Sequence, residues 1–190
     1  GMSMAPGTVL LIGTLDSKGE EFAYVRELIH ARGLRTLVVD AGVLGEPPFA
    51  PEVSAGEVAA AGGESLEALR ERADRGVAMD VMIAGVRAVV ARLYAEGRFD
   101  AVLGLGGGGG TNIATAAMRE LPVGVPKLMV STVACGDTSP YVGVTDITMM
   151  YSVVDIAGLN NFSRRILANA VGAVCGMVEQ PAPEESDRPL

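Results

Sequence analysis

Five consecutive glycines at residues 106–110, the glycine turn, follow a short apolar stretch that begins at Ala101. The stretch predicts a buried strand, and the pattern of residues 111–120 predicts a helix directly after the glycines. Glycine has no Cβ, so the backbone can take positive φ and its N–H groups can approach a ligand closely. The helix would direct its unpaired N–H groups and the positive end of its dipole at the same point. The glycine turn therefore predicts a phosphate-binding cradle.

The glycine turn satisfies two known phosphate-binding motifs only in part. Gly104, Gly106 and Gly109 have the spacing of the dinucleotide fingerprint, but the acidic residue expected about 20 positions later is missing. The P-loop pattern runs from Gly104 to Thr111, except that Gly110 stands where the phosphate-binding lysine is required. This mismatch argues against an ordinary P-loop NTPase. A flexible loop, or a turn that packs a strand closely on a helix, remains the alternative.

Composition favours a layered α/β fold. Of the 190 residues, 49% are hydrophobic but only 4% aromatic, and the mean hydropathy is +0.34. A core of aliphatic side chains suits a mainly parallel sheet with helices on both faces. We predict a three-layer, open, Rossmann-like sheet forming a single α/β nucleotide-binding domain over residues 1–178. Residues 179–190 are predicted to be a disordered tail or an interdomain linker.

Hydrophobic periodicity and turn residues predict alternating strands and helices. The opening βαβ unit should be parallel and right-handed, and a capping box at Ser54 and Glu57 marks a short helix. The predicted strands cover residues 8–12, 35–40, 99–104, 126–132 and 145–150, and the predicted longer helices cover residues 20–31, 64–72, 74–95, 111–120 and 161–178.

Charge and the scarcity of reactive residues exclude several classes of function. The net charge of −8 and pI of about 4.7 disfavour nucleic-acid binding. No apolar run reaches the roughly 20 residues that span a bilayer, and no secretion signal is visible, so we expect a cytoplasmic protein.

Cys135 and Cys175 have no metal or disulfide spacing, and Cys135 is expected to be a buried small hydrophobe. His30, the single histidine, is expected far from the glycine turn. The high apolar fraction predicts a homo-oligomer.

Ligands of open parallel sheets bind at the carboxyl ends of the strands, which directs attention to the polar turns there. After the first strand, Thr14 and Lys18 could contact phosphate and Asp16 could hold hydrated Mg²⁺. A helix cap with a solvated lysine is the alternative. Asp40, at the end of the second strand, could bind ribose hydroxyls or only form a turn. The segment after the residue 145–150 strand is a further candidate.

The loop after the fourth strand combines hydroxyl groups, a carboxylate and a glycine, which favours a functional loop over a plain connection. The full set of predicted ligand-binding residues is Thr14, Asp16, Lys18, Asp40, Gly106, Gly107, Gly108, Gly109, Gly110, Thr111, Asn112, Ser131, Thr132, Gly136, Asp137 and Thr138. No set of catalytic residues or metal ligands follows from the sequence.

Four blocks of sequence, at residues 12–21, 104–111, 126–138 and 146–160, together resemble one known family. They are similar to the N-terminal ATP-binding domain of the tomato mosaic virus resistance protein and its bacterial and fungal relatives, over about residues 9–177. The resemblance implies an α/β domain that binds ATP and is followed by a TIM-barrel-type domain similar to phosphoenolpyruvate-utilising hydrolases. It implies no settled reaction.

Three hypotheses of function follow. The leading one is an ATP-binding domain, with Mg²⁺ accompanying the nucleotide, that binds without turnover because the Walker lysine is missing. The second is part of a metabolic enzyme that binds a small phosphorylated or carboxylated metabolite, with hydrolase or transferase activity only when the barrel-type domain is present. The third is a non-catalytic assembly module in which the glycine turn is only a connection.

Overall fold

The fold is known from a computed structural model that describes residues 6–153 and 158–184. Five strands alternate with seven helices in this part of the chain. The strands are β1 (Thr8–Gly13), β2 (Arg35–Asp40), β3 (Ala101–Gly106), β4 (Lys127–Ser131) and β5 (Thr148–Tyr151). The helices are α1 (Leu15–Ala31), α2 (Ala55–Ala61), α3 (Leu66–Arg72), α4 (Arg75–Ala95), α5 (Gly108–Met118), α6 (Ser139–Val142) and α7 (Asn161–Glu179).

The strands form one sheet in the order β2-β1-β3-β4-β5, and every neighbouring pair is parallel. Helices cover both faces, as two separate apolar clusters show. On one face, Phe22 of α1 and Val174 of α7 are fully buried against the sheet. On the other face, Val58 of α2, Val86 of α4 and Ala114 of α5 are fully buried. The predicted three-layer, Rossmann-like α/β fold is confirmed.

Several helix ends differ from the prediction. Helix α1 begins at Leu15 rather than at residue 20, and Lys18 interrupts it with the non-helical angles φ −122° and ψ 23°. Helix α5 begins at Gly108 rather than at residue 111, so three glycines form its first turn. Helix α6 was not predicted. Helix α7 extends to Glu179, and the predicted disordered tail falls partly on residues 185–190, outside the described residues.

Side chains cap the first turns of four helices in the described part of the chain, and one of them is Ser65 Oγ, which accepts a hydrogen bond of 3.1 Å from Ala68 N at the start of α3. Ser54 Oγ accepts a hydrogen bond of 3.1 Å from Glu57 N at the start of α2, where a capping box was predicted. Asp74 Oδ1 caps α4. At α7, Asn160 and Ser163 exchange side-chain and backbone hydrogen bonds in a reciprocal capping box.

In the described part of the chain, the structure contains no helix that is both long and apolar enough to cross a bilayer.

A buried lysine stabilises the amino-terminal edge of the sheet. Lys127 Nζ donates to Pro122 O at 2.8 Å, Val125 O at 2.9 Å and Asp146 Oδ1 at 2.7 Å, and its side chain has no exposed surface. Partial burial raises the pKa of Asp146, but hydrogen bonds from Lys127 and Gly124 N lower it more, so the net pKa lies below its ordinary value. This ion pair lies at the sheet edge opposite the glycine turn, so it is a stability feature.

Helices α2 and α4 approach closely because glycine stands at both contact points. A Cβ at Gly85 would overlap the carbonyl oxygen of Val58, and one at Gly62 would overlap the carbonyl oxygen of Val81. Neither carbonyl belongs to a flexible side chain, so a larger residue would push the helices apart. These two glycines are therefore explained by packing.

We expect Gly85→Ala to lower the free energy of unfolding by about 1–3 kcal/mol, because the added methyl group overpacks the α2–α4 contact. The matched control is Gly176→Ala in α7, where no atom lies within 4 Å of the added Cβ. That change should raise stability by up to about 1 kcal/mol through helix propensity. Urea denaturation measures both, and equal effects of the two variants would contradict the packing explanation.

Candidate functional site

A crevice opens at the topological switch point of the sheet, between β1 and β3, whose following helices lie on opposite faces. Strands β1 and β3 are neighbours, with Ile12 opposite Gly104. The chain leaves β1 into α1 on one face of the sheet, and leaves β3 into α5 on the other face. Helices that diverge in this way leave a gap at the carboxyl ends of the strands, where ligands of doubly wound sheets bind.

The glycine turn is a tight connection between β3 and α5. A Cβ at Gly106 would lie 2.8 Å from Gly110 Cα, so no larger residue fits at this position without displacing backbone. Gly107 is the N-cap of α5, and no side chain caps this helix. Glycine can take positive φ, but none of the glycines at positions 104–110 does so. Within the glycine turn only Gly106 is required by close packing, and before the turn a Cβ at Gly104 would lie 2.8 Å from Ala114 Cβ.

The next three glycines are not required by their neighbours. A Cβ at Gly108 would meet no atom within 4 Å, one at Gly109 would lie 3.3 Å from Met79 Cε, and one at Gly110 would make ordinary contact with Leu105 O at 3.5 Å. A glycine in a helix costs up to roughly 1 kcal/mol relative to alanine, the value for the helix interior. The first N–H groups of an α-helix have no acceptor within the helix, and Gly108 and Gly109 are exposed. The space that a Gly108 side chain would occupy is therefore open.

Lys18 lies beside the glycine turn, as the sequence predicted. It lines a narrow recess together with Gly106 and Thr132, and the recess holds about 10 Å³, room for about one water molecule. Two polar residues not foreseen from the sequence, Glu21 and Ser152, also line it and are almost fully buried. The rest of the lining is apolar and consists of Leu105, Val130 and Leu167.

Glu21 was missed because a helix rarely buries a carboxylate. Its Oε1 accepts a hydrogen bond of 2.8 Å from Gly158 N, which connects α1 to the segment after β5. The signal in the sequence was its position, one residue before the core-facing Phe22. The turn after β5 that was predicted to line the crevice includes residues 154–157, which lie outside the described residues.

Asp16 organises the loop that follows β2. Its Oδ2 accepts a hydrogen bond of 2.9 Å from Leu44 N, and a Cβ at Gly42 would overlap the Asp16 carboxylate. Thr14 Oγ1 lies 2.7 Å from Ser17 Oγ. In the described part of the chain, no three His, Cys, Asp or Glu side chains are grouped to hold a metal ion.

Asp40 fastens the start of α1 to the end of β2. Its Oδ1 accepts hydrogen bonds from Leu15 N at 3.1 Å and Gly42 N at 2.9 Å, and the residue is only 2% exposed. Burial raises the pKa of Asp40, and the nearby carboxylates of Asp16 and Glu46 add to that effect, whereas the two backbone donors lower it. The observed role of Asp40 is structural.

Two predicted hydroxyl groups bind each other. Thr111 Oγ1 and Ser131 Oγ are buried and 2.6 Å apart, and Ser131 Oγ also accepts from Val133 N at 3.1 Å. This pair ties the start of α5 to the end of β4. Asn112 is exposed on the same helix.

The loop after β4 lies next to the glycine turn only at its beginning. Thr132 N donates to Gly106 O at 3.2 Å. Gly136 and Asp137 are exposed, and Thr138 is the N-cap of α6. Asp137 Oδ1 accepts from Ser139 N at 3.0 Å, a hydrogen bond that lowers the pKa of Asp137.

The environments of the two cysteines differ. Cys135 is exposed, so the expectation of a buried small hydrophobe is wrong there, because it lies on the outward-facing loop after β4. Cys175 is buried, which raises the pKa of its thiol. His30 Nε2 lies 2.8 Å from Thr36 Oγ1, at the start of β2 and so at the edge of the sheet opposite the crevice.

The parallel sheet and its crevice define a doubly wound, Rossmann-like α/β domain. A model of the "Uncharacterised protein family (UPF0261) N-terminal domain" matches residues 7–183. A UPF0261 protein of Clostridium tetani is 52% identical over 183 residues, which are 96% of this chain and 45% of that protein. A UPF0261 protein of Mesorhizobium japonicum is 44% identical, over 95% of this chain and 45% of its own length. The chain belongs to the UPF0261 family.

A plant protein shares part of this domain. The "ToMV susceptible protein tm-1(GCR26)" of Solanum lycopersicum is 43% identical over 104 residues, which are 55% of this chain and 14% of that protein. The resemblance to the tomato mosaic virus resistance family is thereby confirmed. The chain spans less than half the length of the bacterial relatives it matches.

We expect Asp40→Asn to change the pH dependence of stability. Because burial raises the pKa of Asp40 above its ordinary value of 3.8, the folded protein binds the proton more tightly than the unfolded chain does. Stability that Asp40 contributes is therefore lost as pH rises from about 3.8 through the folded pKa. Asparagine keeps an oxygen acceptor but does not titrate.

Urea denaturation between pH 4 and pH 8 measures this effect. As pH rises from about 3.8 to the folded-state pKa of Asp40, the free energy of unfolding of Asp40→Asn should increase relative to that of the wild type. Above that pKa the difference between the two proteins should be constant. A difference that moves in favour of the wild type with rising pH would show that the pKa is lowered instead.

Proposed function

We propose that this domain binds ATP or a related nucleotide in the crevice between β1 and β3, with the phosphates at the first turn of α5. The observation that carries the proposal is the glycine run at positions 108, 109 and 110. These glycines cost helix stability, and their neighbours do not require them. Close approach of a phosphate to backbone N–H groups explains why side chains are excluded there.

The helix end and one lysine support an anionic ligand. Lys18 lines the recess together with Gly106 and Thr132, and Glu21 lines it as well. The N–H groups of α5 and the positive end of its dipole add a favourable field for phosphate. On this proposal, Lys18 binds phosphate from the α1 side and the glycine turn binds it from the α5 side.

Nucleotide identity and metal rest on the family resemblance. It implies ATP, and Mg²⁺ would be held mainly by phosphate oxygens and water. The glycine turn contains no lysine, so we propose binding without turnover by this domain alone. Self-association in the cytoplasm, and a barrel-type domain as partner, are proposals that rest on the apolar composition and on the same resemblance.

A small phosphorylated or carboxylated metabolite is the second candidate. The recess beside Lys18 holds only about 10 Å³, room for about one water molecule, so a small ligand fits the enclosed part of the site better than a nucleotide base does. The relatives are more than twice as long as this chain, so the remainder of such a protein would supply the chemistry.

Thermal denaturation with millimolar ATP and Mg²⁺, and separately with inorganic phosphate, separates these candidates. A ligand that binds the folded state raises the melting temperature by mass action. A rise with ATP greater than with phosphate supports the nucleotide. A higher melting temperature with phosphate alone favours the metabolite. An unchanged melting temperature with either ligand contradicts both candidates and leaves the hypothesis of a non-catalytic assembly module.

We expect substitutions at Gly108 to separate stability from binding. Gly108→Ala should raise the free energy of unfolding by about 0.5–1 kcal/mol, because alanine favours the helix. Gly108→Val places a larger side chain in the open space and should weaken ATP binding more than about tenfold, equivalent to about 1.4 kcal/mol. Titration calorimetry measures the affinity and urea denaturation the stability.

Gly176→Ala is the matched control for the Gly108 variants, because it also adds a methyl group to a helix at a site with open space. It should stabilise the chain without changing ATP affinity. If Gly108→Val binds ATP as well as the wild type does, the glycine turn does not hold the phosphates.

We expect Lys18→Met to weaken ATP binding about tenfold, the typical value of one charge-assisted hydrogen bond. Lys18→Arg, which keeps the charge, should retain part of the affinity. The salt dependence of binding should also become weaker in Lys18→Met, because one ionic contact is removed. Unchanged affinity and salt dependence in Lys18→Met would remove Lys18 from the site.

A further inference from the structure

An exposed leucine stands on a fixed loop at the same edge of the sheet as the glycine turn. Leu44 follows β2 and is 82% exposed. The loop around it is held at three successive residues: Gly42 N donates to Asp40 at 2.9 Å, Arg70 Nε donates to Val43 O at 2.6 Å, and Leu44 N donates to Asp16 at 2.9 Å. Its exposure is therefore a built feature of the loop.

A hydrogen bond ties Leu44 to the first turn of α1, directly after β1. Asp16, which binds its N–H group, lies in the segment directly after β1, the strand adjacent to β3. The half-buried Val43 packs on the same apolar cluster as Met79, whose Cε lies near Gly109. Val43 and Met79 thus belong to the apolar cluster of the α2–α4–α5 face, whereas Lys18 lines the recess with Leu167 of α7.

From this arrangement we infer that Leu44 is the apolar contact for the base of the bound nucleotide, and so a specificity-determining residue of the site. The inference rests on the proposed function. A nucleotide joins a strongly anionic group to a flat, largely apolar base. The carboxyl edge of the sheet offers backbone N–H groups at the start of α5 and an exposed apolar side chain at Leu44. Burial of Leu44 against the base removes apolar surface of both from water.

Exposed apolar residues on the β5 side of the crevice are the alternative contacts for the base. Tyr151, Val153 and Phe162 are exposed apolar residues on the β5 side of the same sheet edge. Strands β2 and β5 are each two positions from β3, about 10 Å at the usual strand spacing. The hydrogen bond to Asp16 brings the Leu44 loop towards β1. On the other side, the segment at Thr132, whose N–H group donates to Gly106 O, lies between the glycine turn and β5.

The test compares ATP with inorganic triphosphate, which carries the charge without the base. Titration calorimetry on the full 190-residue chain with Mg²⁺ should show that Leu44→Ser weakens ATP binding about fivefold, with unchanged affinity for triphosphate. The matched control is Val144→Ser, a fully exposed apolar residue at the opposite edge of the sheet. It should change neither affinity, and the melting temperature of both variants should match that of the wild type.

Each outcome separates this inference from the function on which it rests. If the wild type binds ATP and Leu44→Ser binds it equally well, Leu44 is not the base contact although the nucleotide site stands. If Tyr151→Ser weakens ATP binding while Leu44→Ser does not, the base lies on the β5 side and the inference is overturned. An equal loss for ATP and triphosphate in Leu44→Ser would also overturn it. If the wild type binds neither ligand, the proposed function fails and the inference fails with it.

Discussion

The close turn between β3 and α5 is the constraint on which the candidate site depends. The backbone of Gly110 folds back to within 2.8 Å of where a Cβ of Gly106 would stand, so only glycine permits this path. The turn sends α5 to the face of the sheet opposite α1 and thereby opens the crevice at the carboxyl edge. The buried hydroxyl pair of Thr111 and Ser131 then holds the start of α5 against β4.

Glycines serve different purposes in different parts of this domain. At Gly62 and Gly85 they allow two helices to approach, and a neighbouring carbonyl oxygen explains each. At Gly108 the surrounding space is empty, so no contact explains the missing side chain. A stability cost without a packing reason is typical of functional positions, where close approach of a ligand matters more than local stability.

Polar residues at the carboxyl edge divide into those that build the crevice and those that face it. Asp16 and Asp40 accept backbone hydrogen bonds and fix the loop after β2. Lys18 lines the recess itself, next to Gly106. The kink in α1 at Lys18 belongs to the same part of the site. Buried acceptors thus fix the loop after β2 and the start of α1 beside the recess.

The alternation of apolar strands and amphipathic helices determined the layered α/β fold, because parallel strands buried on both faces need continuous apolar stretches. The sequence also predicted the position of Lys18 near the glycine turn, since the ends of parallel strands meet at one edge. Only the tertiary structure decided that Gly108 lies within the helix, that Glu21 is buried and that Leu44 is exposed. These outcomes depend on contacts between segments far apart in the chain, such as Glu21 with Gly158 and Asp16 with Leu44, which local patterns do not encode.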